Sequence, residues 1–176
     1  MRDEEISLVN IEKRVRTRTF EKDRSVWAAF TENTHKILTL MFQADCKYLK
    51  INRIIKNEKQ YQDVLDYLME HYERIKEIFD FYSATENFPS IGWFDFSDFC
   101  TICKMLDKKH MNTAAVDRVF TAVNYEVVSL EDNPDRDLCR YEFFEIFARL
   151  ALVKFKDLTM EPVDMLDKLM RENVYP

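Results

Sequence analysis

Glycine occurs only once in this chain of 176 residues, at Gly92, and proline occurs only at residues 89, 134, 162 and 176. These two residue types interrupt regular structure most strongly, and a turn-rich β architecture uses many of them. Their scarcity therefore favours long helices. Apolar residues also recur at helical spacing along most of the chain, so the sequence predicts an all-α fold.

The composition limits the classes of partner. Apolar residues make up 47% of the chain and charged residues 33%, which is enough to form a core and too polar to span a membrane. The first residues do not resemble a signal peptide. With 26 basic and 32 acidic residues, the net charge is −6, which disfavours binding to nucleic acid. We expect a cytoplasmic protein with reduced cysteines, contacting neither nucleic acid nor membrane.

Positive charge is concentrated near the start of the chain, between residues 13 and 24. A solvated arm is the simpler interpretation of such a run. The alternative is an arm that docks on an acidic surface of a partner. We assign residues 1–22 to this basic N-terminal arm. Its candidate partner-binding residues are Lys13, Arg14, Arg16 and Arg18.

Two long apolar stripes follow the arm. The first runs from Val26 to Ile55 without a breaker, and it predicts one long helix or two helices with a bend near Asn52. The second has apolar residues spaced by three or four between residues 61 and 82, which predicts another helix. The two helices can pair along these faces as a long antiparallel hairpin, which we assign to residues 23–82.

Four further helical stripes complete the chain. Three of them consist of Phe99, Ile102, Cys103 and Leu106; of Val116, Phe120, Val123, Val127 and Leu130; and of Phe143, Ile146, Phe147 and Leu150. Pro162 suits the first turn of a last short helix that carries Val163, Leu166 and Met170. We assign residues 83–158 to the first three stripes with their loops, and residues 159–176 to the C-terminal helix.

The stretch that ends at Glu142 fits the twelve-residue template of a calcium-binding loop. The candidate ligands are Glu131, Asn133, Asp135, Asp137 and Glu142. However, Arg136 replaces the glycine that supplies the sharp turn of the template, and it places a cation beside the site. We therefore favour a loop that is held by hydrogen bonds and needs no cofactor. A calcium site is the alternative.

This pattern resembles an EF-hand. EF-hand loops pair through a short antiparallel bridge between the residues at position 8, which is Leu138 in the loop described above. An earlier loop offers Phe94 at position 8, with Gly92 at position 6 and Asp98 at position 12. The resemblance implies a degenerate EF-hand pair within residues 83–158, bridged through Phe94 and Leu138. The first half of this loop fits the template badly, with Asn87, Pro89 and Ile91 at positions 1, 3 and 5, so we expect an expanded loop that binds no ion.

Within the EF-hand superfamily, three segments are similar to degenerate modules of axonemal and other microtubule-associated ciliary proteins. They are Pro89-Ser-Ile-Gly-Trp-Phe-Asp-Phe96, Leu138-Cys-Arg-Tyr-Glu-Phe-Phe-Glu145 and Arg149-Leu-Ala-Leu-Val-Lys-Phe155. This resemblance covers residues 72–155. It implies a structural or adaptor protein in the cytoskeleton of a cilium or flagellum axoneme. The partners would be other proteins of the assembly, including tubulin, whose acidic tails would suit the basic arm.

Aromatic residues cluster around the first loop, and Phe88 and Trp93 are the candidates for an exposed partner surface. A calcium-responsive EF-hand regulator that binds a partner helix is the alternative to a structural protein. A thiol-based enzyme is a third hypothesis, because Cys100 and Cys103 have the spacing of a redox pair. Both lie inside a predicted helix, which favours two small core residues. We therefore expect no enzyme.

Overall fold

The computed structural model describes residues 34–84, 89–125 and 136–175. The seven α-helices in these ranges are α1 (His35–Cys46), α2 (Glu58–Glu70), α3 (Tyr72–Ser83), α4 (Trp93–Ile102), α5 (Thr113–Asn124), α6 (Arg140–Lys154) and α7 (Pro162–Leu169). A 3-10 turn (Ile51–Arg53) lies between α1 and α2, and a π turn (Met170–Val174) follows α7. These ranges contain no strand, so the all-α prediction is confirmed for them. None of these helices has the length and apolar content to cross a bilayer.

The second apolar stripe forms two helices rather than one. The backbone leaves helical geometry at His71, with φ −99° and ψ 8°, between α2 and α3. The helical spacing continues across this break, so the same face of both helices reaches the core. The buried residues of the stripe are Val64, Leu68, Tyr72, Ile75 and Phe79.

The first stripe is also divided. Within the described residues, α1 ends at Cys46 and the chain is not helical again until Ile51, so a single helix that reaches Ile55 is wrong. The division predicted by the alternative exists, but it lies at residues 47–50 rather than near Asn52. Two side chains of this region bind distant helices: Asp45 binds α6, and Lys50 binds the end of α5. We attribute the turn to these tertiary hydrogen bonds, which outweigh the helical preference of the segment.

Helix α6 lies at the centre of the fold. It contacts α1, α3, α5, α7 and the 3-10 turn. Nine of its residues are buried, and they lie on all sides of the helix, as expected for a helix with neighbours all round. They are Glu142, Phe143, Phe144, Glu145, Ile146, Phe147, Ala148, Leu150 and Ala151.

Helix α7 completes the core against α6 and α2. It begins at Pro162, as predicted, and Leu166 and Met170 are buried. One cluster of buried apolar residues extends from Leu38 in α1 to Met170. The boundaries that we assigned after residues 82 and 158 therefore separate helices that share this core.

The third stripe has a different phase from the predicted one. Phe99 is buried as expected, but Ile102 is 68% exposed. Cys100 lies inside instead, beside Phe96. Helix α4 ends at Ile102, so Cys103 and Leu106 of the predicted stripe follow its end, and its buried face is formed by positions 96, 99 and 100.

Candidate functional site

The two loops meet at Ile91 and Leu138. These residues exchange two antiparallel backbone hydrogen bonds: the amide of Ile91 donates to the carbonyl of Leu138 at 2.9 Å, and the amide of Leu138 donates to the carbonyl of Ile91 at 2.8 Å. Both side chains are fully buried. The bridge therefore joins the two loops through the core and not at the surface.

Each side of the bridge is followed by a helix with the same geometry. Gly92 and Cys139 are extended residues, with φ −70° and ψ 166° for the first and φ −79° and ψ 173° for the second. Each is the N-cap of the next helix, so α4 begins at Trp93 and α6 at Arg140. The two helix–loop–helix units thus have matching halves after the bridge.

The predicted partner of Leu138 was wrong by three residues. Phe94 is 84% exposed, whereas Ile91 forms the bridge. Gly92 was expected at the sharp turn of the loop, but its φ of −70° does not require glycine. The cause is the position of the helix start: α4 begins too early for Phe94 to lie in the loop.

The observed bridge also changes how the first loop aligns with the calcium-loop template. Placing Ile91 at position 8 sets Ala84 at position 1, immediately after the end of α3 at Ser83, and Asp95 at position 12. The loop then has the length of the template and is not expanded, contrary to our expectation. Two of its ligand positions lack a side-chain oxygen, because Ala84 stands at position 1 and Phe88 at position 5.

The second loop departs from the template at its start. Helix α5 ends at Asn124, and Tyr125 is extended with φ −67° and ψ 119°. The template instead needs a helix that continues to Glu131. Val127 and Leu130, which we expected on this helix, follow its end and lie outside the described residues. The described part of the chain therefore departs from the template at Tyr125.

Two of the five candidate calcium ligands lie within the described ranges, and both bind protein groups. Asp137 accepts a hydrogen bond of 3.0 Å from the hydroxyl of Ser90, across the bridge. Glu142 is buried, and its carboxylate accepts the amide of Cys139 at 3.0 Å. The sulfur of Cys139 accepts the amide of Glu142 in return, which makes a capping box at the start of α6.

The remaining candidate ligands, Glu131, Asn133 and Asp135, lie outside the described residues. Within the ranges 34–84, 89–125 and 136–175, no group of three or more histidine, cysteine, aspartate or glutamate side chains has the geometry to hold a metal ion. The calcium hypothesis therefore keeps only its sequence pattern as support.

Two buried carboxylates connect α6 to the end of α1 and the segment that follows it. Asp45 accepts two hydrogen bonds from Arg140, and the hydroxyl of Tyr72 donates to it at 2.6 Å. Burial and this bond raise the pKa of Tyr72. Glu145 accepts Arg149 at 2.7 Å and the backbone amide of Lys50. Sequence reasoning missed this network, although buried acids on an apolar helix are a signal for such partners.

The side chain of Lys50 closes the open end of α5. Its ammonium group donates to the carbonyl of Tyr125 at 2.8 Å and also to the carbonyl of Val123. The last carbonyls of a helix lack partners within the helix, and a cation suits their negative end. The segment after α1 therefore holds the point at which the second loop begins.

The predicted partner-binding residues fall in two groups. Lys13, Arg14, Arg16, Arg18 and Phe88 lie outside the described residues. Trp93 is half-buried and packs edge-on against Phe120, with ring centroids 5.2 Å apart. Among the described residues near the loops, the exposed aromatic side chains are Phe81, Phe94 and Tyr125. Sequence spacing alone did not separate them from the core aromatics.

The cysteine pair has the properties of core residues. Burial raises the pKa of the Cys100 thiol to about 12, and the nearby Cys103 adds to this effect. Burial also raises the pKa of Cys103 to about 11. A reactive cysteine needs the opposite shift, because the thiolate is the nucleophile.

No protein-family model matches this chain, and neither a curated protein nor a solved structure matches it.

Proposed function

We propose that the protein is a non-enzymatic structural or adaptor protein built on a degenerate pair of EF-hand-like loops. The observation that supports this most directly is the buried bridge between Ile91 and Leu138. It joins two helix–loop–helix units, and a helix starts one residue after each N-cap. A buried bridge of this kind holds the two loops together, which supports a structural role.

The geometry of the loops favours a structural role over calcium sensing. The first loop has a methyl group and an aromatic ring at ligand positions, namely Ala84 and Phe88. Before the second loop, α5 ends at Asn124, whereas the entering helix of the template continues to position 1, which is Glu131. Glu142, which would supply the last ligand, has a role as a helix cap that explains an acid there without an ion.

The thiol chemistry argues against the enzyme hypothesis. Cys100 and Cys103 have raised pKa values, and burial is the first cause for both. A thiol that stays protonated at neutral pH is a poor nucleophile. The CxxC spacing is then explained by packing: Cys100 faces the core of the helical bundle, and Cys103 is half-buried at its edge.

The cellular setting rests on the resemblance of the sequence. The segments at 89–96, 138–145 and 149–155 are similar to modules of ciliary proteins, and the basic residues between 13 and 24 would suit the acidic tails of tubulin. We therefore propose a place in a ciliary or other microtubule-based assembly, with partners among its proteins.

Calcium titration by calorimetry separates this proposal from the calcium-responsive regulator. The full chain, freed of metal by chelation, should show no binding tighter than about 10⁻⁵ M, the weak limit of sensor loops. A tighter site would favour the regulator.

The cellular setting needs its own measurement. Proximity labelling from the tagged full chain in ciliated cells should enrich axonemal proteins over a tag-only control. Enrichment of unrelated cytosolic proteins instead would contradict the ciliary assignment.

A further inference from the structure

A surface groove lies between α5 and α6, at the point where the 3-10 turn adds a third wall. Its volume is about 460 Å³, which lies in the range of sites that accept small ligands or a few side chains. It is lined by Ile54, Ala115, Arg118, Val119, Ala122, Arg149, Leu152, Val153 and Lys156. Neither Asp137 nor Glu142, the two candidate calcium ligands that the structure describes, lines it.

The floor and walls of the groove are apolar. Ala115 and Val119 are buried at its base, while Leu152 and Val153 are half-buried and Ile54 is exposed. The groove therefore exposes apolar surface to solvent. Such surfaces accept the apolar face of an amphipathic helix, whose anchors recur every three or four residues.

Among the described residues, every charged side chain that lines the groove is a cation. Arg149 is held by the buried Glu145, at 2.6 Å, so its position is fixed and its charge is partly offset. Arg118 and Lys156 are exposed, and neither forms an ion pair with another residue in the part of the chain described here. This positive rim contrasts with the net charge of −6 of the whole chain.

We propose that this groove binds an acidic amphipathic helix of a partner protein. The inference rests on the proposed adaptor function and names the chemistry of one partner. Apolar side chains of the helix would fill the space above Val119, and its carboxylates would face Arg118 and Lys156. An anionic membrane fits less well, because the groove is concave and the chain as a whole is acidic.

The probe for this proposal is a synthetic helical peptide of 18 residues with leucines on one face and glutamates beside them. Its matched control has lysine at every glutamate position. Fluorescence anisotropy with the full chain should show that the acidic peptide binds at least about tenfold more tightly than the lysine peptide. Added salt should weaken the binding of the acidic peptide. Equal binding of the two peptides, or no binding of either, overturns the proposal.

Variants of the chain locate the site. Arg118→Glu with Lys156→Glu should weaken the acidic peptide at least about tenfold and improve the lysine peptide. Ala122→Trp should block the groove with bulk, because Ala122 is exposed and its replacement leaves the core intact. Lys59→Glu is the charge control, since Lys59 is exposed on α2, which does not line the groove. Circular dichroism confirms that each variant is folded.

The remaining outcomes are also decisive. If Lys59→Glu weakens peptide binding as much as the groove variants do, the loss comes from the changed net charge of the chain, and the groove is rejected as the site. If the full chain floats with phosphatidylserine vesicles and Arg118→Glu with Lys156→Glu prevents this, the groove is a membrane site. If Ala122→Trp dissolves a dimer of the free chain, the occupant is a second copy. Failure of the peptide leaves the calcium titration unchanged, so the two proposals fail separately.

Discussion

The guanidinium group of Arg140 donates two hydrogen bonds of 2.9 Å to Asp45, one to each carboxylate oxygen. Asp45 lies near the end of α1 and Arg140 is the first residue of α6, so the pair connects helices that are far apart in sequence. Tyr72 donates to the same carboxylate. This cluster fixes the start of α6 against the helices that precede the loops.

Removal of Asp45 should destabilise the fold. Asp45→Ala leaves the partly buried Arg140 without its partner, so we expect the free energy of unfolding to fall by about 3 kcal/mol. Tyr72→Phe removes one hydrogen bond and should cost about 1 kcal/mol. Urea unfolding measures both. In a double-mutant cycle with Arg140→Ala, a coupling energy near zero would show that the pair contributes nothing.

The register of the bridge predicts which apolar residues matter. Leu138→Ala and Ile91→Ala each create a cavity in the core, and each should lower the free energy of unfolding by about 2–5 kcal/mol. Phe94→Ala is the control, because its side chain is mostly in water and its loss should change stability by no more than about 0.5 kcal/mol. A large loss for Phe94→Ala in thermal or urea unfolding would contradict this register.

The structural role of Glu142 predicts an effect that does not depend on calcium. Glu142→Ala removes the acceptor for the amide of Cys139, so stability should fall by about 1–3 kcal/mol. Glu142→Gln retains an acceptor oxygen and should cost less. The unfolding curves of each variant should coincide in excess calcium and in excess chelator. A calcium-stabilised wild type whose advantage disappears in Glu142→Gln would support a calcium site instead.

The thiols of Cys100 and Cys103 should be alkylated slowly in the folded chain. Because burial raises the pKa of Cys100 to about 12 and that of Cys103 to about 11, little thiolate is present at pH 8. Alkylation by iodoacetamide, followed by mass spectrometry, should be at least about tenfold slower than for free cysteine. The same chain in urea should react at the free rate. Rapid alkylation of the folded chain would revive the enzyme hypothesis.

The basic arm should give a salt-dependent contact if it binds tubulin. Co-sedimentation of the full chain with microtubules should weaken steeply as salt rises from low to physiological concentration. Replacement of Lys13, Arg14, Arg16 and Arg18 by glutamate should abolish it, and so should removal of the acidic tubulin tails by protease. Lys59→Glu again serves as the charge control. Binding to microtubules that does not weaken with salt would contradict a role for the arm.

The spacing of apolar residues was sufficient to predict the helices that are buried most completely. Phe143, Ile146, Phe147 and Leu150 were predicted on the inner face of α6 and are all fully buried. Pro162 marked the start of α7 correctly. At these places local preference and tertiary packing agree, so a single pattern is enough.

Spacing failed where two apolar residues competed for one position. Ile91 and Phe94 both suit a buried bridge, and only the start of α4 decides between them. The end of α5 posed a similar problem, because Val127 and Leu130 continue its stripe although the helix stops at Asn124. Lys50, a residue distant in sequence, binds the carbonyls at that end. No pattern within one segment contains that information.

The enclosure of α6 has a mechanical consequence. It contacts α1, α3, α5, α7 and the 3-10 turn, so a displacement of α6 would disturb its packing against each of them. Because a closely packed interior transmits strain, a force applied to one of these helices would reach the others through α6.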